Sequence, residues 1–226
     1  MTKISPNPRQ QLRKKFRDIR NHLPTQAKAD ASAAICKHLQ IFFQQNTANP
    51  RQKPLRRIAA YLNSTHEASL DAWITEAWQQ TGNKIFVPVV ENTDTREVDS
   101  AADKKADNEA RRGRMRFHRY GNNTQTIVGH YGLRTLAHPE SCEQISAADL
   151  NCVLLPLVAF DNFGTRLGMG GGYYDRFFAN ERNRPYLLGI SFDAQQSSET
   201  LEKSNWDVGL NAVVTESGIT EFAGAI

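Results

Sequence analysis

The chain has 226 residues, with Lys+Arg 28 against Asp+Glu 24 and a formal net charge of +4. Its 39% hydrophobic and 23% charged residues are the proportions of a soluble globular protein, long enough to bury a core without staples. No apolar run is long enough to span a membrane, none follows the basic N-terminus, and Cys36, Cys142 and Cys152 are unclustered. A membrane anchor, a secretory leader, a disulfide framework and a zinc site are therefore not expected, and a cytoplasmic setting is.

Leu12, Phe16, Ile19 and Leu23 recur at helical spacing, with Arg9, Arg13, Lys14, Lys15, Arg17 and Arg20 on other faces. The basic face reads either as a solvated helix surface or as a patch for nucleic acid, anionic lipid or a phosphorylated small molecule. Pro24 ends this helix, and Thr25 is placed to cap a second that carries Ala31, Ile35, Leu39 and Phe42 to about Gln45. A polar loop over 46–54 leads to a short strand at 57–62. Ser69 caps a helix through Gln80, Gly82-Asn83 turns the chain, and 84–90 is the next strand.

Residues 91–114 are dense in charge and nearly free of apolar side chains, so they are expected as an exposed excursion. A strand at 115–120 precedes a loop-rich stretch with a short helix near 146–150. Then come a strand at 152–157, a glycine loop, a helix from about Gly172 to Glu181, and strands at 186–192 and 212–215. Strands alternating with helices imply one α/β domain over 1–226. Its mainly parallel twisted sheet would carry helices on both faces, a Rossmann-like three-layer arrangement with an N-terminal helical pair.

The glycine loop is the most informative stretch. Arg166-Leu-Gly-Met-Gly-Gly-Gly-Tyr-Tyr-Asp-Arg176 places four glycines in five positions between an apolar strand and a helix start. Free backbone N–H groups and the positive end of a helix dipole meet at such a junction, which suits a nucleotide phosphate. The same composition also makes an ordinary turn. Spacing does not decide between them, because neither a dinucleotide fingerprint nor a Walker loop is present.

Leu155-Pro-Leu-Val-Ala-Phe-Asp161 followed by Gly164-x-Arg166 through Arg176 resembles the signature of the 5-formyltetrahydrofolate cyclo-ligase family. Weaker echoes run along the chain: the basic first helix, Tyr61-Leu62 with Glu67, Met115-x-Phe117, Tyr131-Gly-Leu133, and Trp206-Asp207 before Val213-Val-Thr-Glu216. The resemblance implies conversion of 5-formyltetrahydrofolate and ATP to 5,10-methenyltetrahydrofolate, ADP and phosphate, with Mg²⁺ as cofactor. It also implies a monomer acting on small molecules, with neither nucleic acid nor membrane as partner.

Carried over by position, Arg9 and Arg13 contact ATP; Arg9 stands where the family usually has lysine. Arg166, Leu167, Gly168, Met169, Gly170, Gly171, Gly172, Tyr173 and Tyr174 form the ATP site, with Arg166 and Tyr173 catalytic. Leu62 and Glu67 bind the folate together with Met169, Gly170, Gly171, Gly172 and Tyr173. Asp175 and Asp207 hold the metal. Without the resemblance, Arg13 reads as surface charge, Arg166 as a loop salt bridge to Asp161 or Asp175, Glu67 as a helix-start acid, Asp175 as a first-turn acid and Asp207 as a turn residue.

One departure stands out. The family continues its Tyr-Gly-Ile with Glu-Pro, whereas this chain reads Arg134-Thr-Leu-Ala-His-Pro-Glu140. Two rival readings are another phosphate-binding α/β enzyme, such as a sugar-phosphate isomerase, and a non-enzymatic basic module. Against a dinucleotide enzyme, the glycines fall after the third or fourth strand instead of the first. Against a nucleic-acid module, Phe16 lies on the apolar stripe and not among the basic residues.

Overall fold

A computed structural model describes residues 7–48, 54–91, 114–129, 132–179, 181 and 184–223. All but the ends of the charged 91–114 segment, and Tyr131 of the Tyr-Gly-Leu motif, lie outside them.

Two helices open the chain, α1 (Pro8–His22) and α2 (Thr25–Ala48). Asn7 caps α1 by accepting from the Arg9 N–H, with Pro8 at the first helical position, where its missing N–H costs nothing. Thr25 is the first residue of α2 and not its cap, and α2 runs three residues beyond the expected Gln45.

The central sheet has eight strands in the order β12-β11-β10-β7-β1-β2-β3-β6. They are β1 (Arg57–Ala59), β2 (Lys84–Glu91), β3 (Arg114–Arg119), β6 (Gln144–Ile145), β7 (Cys152–Pro156), β10 (Tyr186–Ile190), β11 (Ala212–Thr215) and β12 (Gly218–Glu221). From β11 to β2 every pairing is parallel, and β12, β3 and β6 join antiparallel at the two edges. Two small hairpins, β4 (Thr126–Val128) with β5 (Arg134–Leu136) and β8 (Ala159–Phe160) with β9 (Arg166–Leu167), lie outside this sheet.

Period-two alternation sorts the strand side chains onto two faces. Ile58, Ile85, Val87, Leu154, Leu188 and Val214 face one core with residues of α2 and of α3 (Asp71–Gln79). Ala59, Phe86, Phe117, Val153, Leu155, Leu187 and Val213 face the other, where α4 (Tyr173–Phe178) packs through Phe177 and Phe178. Helices thus cover both faces as expected, although α4 is shorter than the predicted 172–181 helix.

A third, smaller cluster seats α1. Its Phe16 packs with Val158, Ala159, Leu167 and Leu201, flanked by Leu12 and Ile19. The helix therefore lies against the β8–β9 hairpin, just past the carboxyl end of β7. In parallel sheets this is the edge where ligands bind.

Candidate active site

The glycine loop begins where β9 ends. Gly170 and Gly172 hold φ of 102° and 63°, conformations that a residue with a Cβ rarely adopts. They turn the chain sharply enough for α4 to start at Tyr173. Gly171 cannot accept a side chain for another reason: a Cβ there would lie 2.8 Å from the Tyr173 ring. The Arg176 guanidinium donates to the Gly171 carbonyl at 2.6 Å and lies over the Tyr173 ring, pinning the far side of the turn.

Arg166 enters from β9 and is 7% exposed. Its Nη2 donates to Asp175 Oδ1 at 2.7 Å, while its Nη1 is buried with no hydrogen-bond partner. Asp175 also accepts from the Val208 backbone N–H at 3.2 Å, which brings it beside Asp207. Asp207 in turn accepts from Arg9 Nη2 and from the Ser204 N–H, both at 2.8 Å. The Ser204 hydroxyl accepts from Arg9 Nη1. Both residues expected to hold a metal are thus paired with residues expected to contact phosphate.

Arg13 reaches the loop itself, its Nε donating to the Gly168 carbonyl at 2.9 Å. Partial burial lowers its pKa, and neighbouring Arg9 lowers it further. Leu167 is buried beneath α1, so its side chain supports the loop from below, whereas Met169 is 58% exposed at the rim. Tyr173 and Tyr174 both pack partly into the second core. The Tyr174 hydroxyl is pushed well up, first by burial and then by Glu67, and Arg166 pulls it the other way. One side chain therefore feels both the residue expected to bind folate and the one expected to bind phosphate.

Glu67 follows β1, in the turn after Asn63. Its Oε2 accepts from the Ser64 N–H at 2.9 Å, and its Oε1 stands 3.9 Å from Arg20 Nη1. Leu62 is buried nearby in the first core, and the Tyr61 hydroxyl donates to the Ala68 carbonyl. Sequence reasoning missed two participants. Ser204 carried no signal, being one serine among several in a loop. Arg20 was read as part of a basic face, yet only 4% of it is exposed; its spacing from Arg9 and Arg13 was the available signal. Asp161 proves to be a loop staple, accepting from the Phe163, Thr165 and Leu201 N–H groups.

Of the expected site, the structure gathers Arg9, Arg13, Arg166, Asp175, Asp207 and the glycine loop at one end. Glu67 and Leu62 stand at the other, α1 runs between the two ends, and Tyr174 couples to both Glu67 and Arg166. The segment that departs from Glu-Pro forms β5, where Arg134 pairs with Asp71, and then a single helical turn at Pro139–Ser141, with His138 beside Glu140 at the surface.

The description "5-formyltetrahydrofolate cyclo-ligase family" matches residues 6–216 of the chain. A 5-formyltetrahydrofolate cyclo-ligase of Haemophilus influenzae is 30% identical over 205 residues, covering 89% of this chain and 94% of the relative. The NMR structure of Aquifex aeolicus 5,10-methenyltetrahydrofolate synthetase superposes with a TM-score of 0.69 at 22% identity, covering 95% of this chain and 93% of that one. The synthetase of Mycoplasma pneumoniae gives 0.65 at 20% identity, covering 93% and 99%. These two similarities establish a shared fold.

Proposed function

The chain belongs to the 5-formyltetrahydrofolate cyclo-ligase family, a family of ligases, and from that premise we propose that it uses ATP to close 5-formyltetrahydrofolate to 5,10-methenyltetrahydrofolate. The observation that carries the proposal is the buried, unpartnered Nη1 of Arg166 beside a glycine turn with two further arginines at its mouth. Unmet donors of a buried cation are costly unless an anion meets them. Membership in the family displaces the isomerase-like and non-enzymatic readings.

The reaction makes a formamide oxygen leave. The γ-phosphoryl group passes to that oxygen, forming one P–O bond as the bond to ADP breaks. The N10 lone pair then attacks the formyl carbon, a C–N bond forms, and the C–O bond breaks to release phosphate as N10 gives up its proton. Catalysis of this type rests on positioning and on neutralising charge. Arg9 and Arg13 hold the outer phosphates, and the N–H groups from Gly168 to Gly172 cradle the chain of phosphates. Arg166 meets the transferring group, with Tyr173 at the start of α4 edging the reacting atoms. Glu67 accepts from the donor-rich pyrimidine edge of the folate, with Leu62 beside it.

Among the described residues, no group of three or more histidine, cysteine or acidic side chains is placed to hold a metal ion. Asp175 and Asp207, linked through Val208, suit Mg²⁺, which takes one or two carboxylates and completes its shell with phosphate oxygens and water. Bound there, it would supply further neutralisation of phosphate charge.

The direct test is to mix the chain with ATP, Mg²⁺ and 5-formyltetrahydrofolate and follow the absorbance of the methenyl product. No rise at high enzyme concentration rejects the proposal.

A further inference from the structure

Arg9, Arg13, Arg17 and Arg20 follow one another at spacings of four, four and three, which places them along one face of α1. Over about 16 Å of helix, this stripe runs from Asp207 and the glycine loop to Glu67. Its last member differs from the others. Arg20 is 4% exposed, and its Nε, like that of Arg9, is buried without a partner. Burial lowers its pKa, and Glu67 and then Tyr61 raise it. An apolar side chain at this place, one turn from the seat of Phe16, would avoid the desolvation.

Among the described residues, the ion-pair partner of Arg20 is Glu67. The separation of 3.9 Å is too long for a hydrogen bond and short enough for strong attraction across a water-poor gap. The contact is therefore a single Coulombic pairing and not a forked clamp. Glu67 Oε2 is committed to the Ser64 N–H, so Oε1 is the oxygen turned toward Arg20 and still able to accept. Of the other groups that feel Glu67, the Tyr61 hydroxyl is committed to the Ala68 carbonyl, and the Tyr174 ring packs against Phe117.

We propose that Arg20 is a positioning residue for the folate end of the site, holding the Glu67 carboxylate in place with Oε1 presented to the donor edge of the substrate's pyrimidine ring. The proposal rests on the folate-binding reading of Glu67 given above. It assigns α1 two tasks, with phosphate at its amino end and the pyrimidine acceptor at its carboxyl end.

The test measures dissociation constants of 5-formyltetrahydrofolate and of ATP by calorimetry on the full chain, for wild type, Arg20→Gln, Arg20→Lys, Glu67→Gln and the double variant. Arg20→Gln is expected to weaken folate binding by about tenfold or more, the scale of a lost charged contact, and to change ATP binding less than twofold. Arg20→Lys should recover most of the loss, because a point charge suffices at this distance. The double variant should bind folate no worse than Glu67→Gln alone, since Arg20 acts through Glu67.

Equal weakening of both ligands, additive losses in the double variant, or unchanged folate affinity in Arg20→Gln would each overturn the assignment. If Arg20→Gln does not fold, Arg20→Lys decides: folate affinity as weak as that of Glu67→Gln overturns it, and near wild-type affinity upholds it. A wild-type chain that binds no folate rejects the underlying function, an outcome distinct from all of these.

Discussion

Arg9 and Asp207 stand 198 positions apart in sequence and meet at 2.8 Å. This pair ties the first helix to the loop ahead of β11 and joins a cation expected at phosphate to a carboxylate expected at metal. On the proposed function, nucleotide binding would exchange these partners, with Arg9 turning to phosphate and Asp207 to the cation that accompanies it. Arg9→Ala is expected to weaken ATP binding by about tenfold and leave folate binding within about twofold. Folding stability should fall by only about 1 kcal/mol or less, because a partly exposed pair contributes little. Parallel calorimetry and thermal melting check both halves.

Arg166 offers the sharpest kinetic test. Removing one preorganised donor from a charge-stabilising site typically costs about 10²–10³ in rate, so Arg166→Ala should reduce turnover on that scale with its circular dichroism unchanged. Turnover near wild type in a folded variant would remove Arg166 from the reaction.

Glu67→Gln keeps the shape of the side chain and removes its charge. Folate affinity is expected to fall by about tenfold, with ATP affinity nearly constant. If both ligands weaken together, the carboxylate serves the fold and not the substrate.

Much of this was legible in the residues. The order of strands and helices follows from apolar periodicity, and the glycine run marks the candidate site, although its reading as a phosphate cradle comes from the family resemblance and not from glycine spacing, which an ordinary turn also satisfies. Edges were harder to read. The strands β4, β5, β6 and β12 are two to four residues long, too short for alternation to register. The inward turn of Arg20 was hidden for a physical reason: a charge on an amphipathic helix is normally solvated, and only its tertiary partner Glu67 reverses that expectation. The pairing of Arg9 with Asp207 is likewise a contact between distant segments, which local pattern does not encode, whereas Arg166 and Asp175 are only nine positions apart.

Alkaline pH should destabilise the fold. Burial is the first cause holding Tyr61, Tyr174 and Tyr186 above their ordinary value of 10.0, with Tyr186 pushed up to about 12. Each keeps its proton when folded at a pH where the unfolded chain has lost it. Their contribution is therefore intact below pH 10 and is lost as pH rises, for Tyr186 between about 10 and about 12. Melting temperatures across pH 7 to 11.5 should hold and then drop, and Tyr186→Phe should flatten the drop.

The seat of α1 has a consequence for biogenesis. Apart from Glu67, which meets Arg20, the anchors of α1 at Leu167, Gly168, Leu201 and Asp207 lie in the last third of the chain and are made well after the helix itself. At typical elongation rates of about 5–20 residues per second, that leaves a wait of roughly 10–40 s. During this interval its amino-terminal arginines face solvent and the polyanions of the translation machinery, while the sheet assembles. On the proposed function, ligand competence would then be acquired late, when the closing segments arrive to receive the helix.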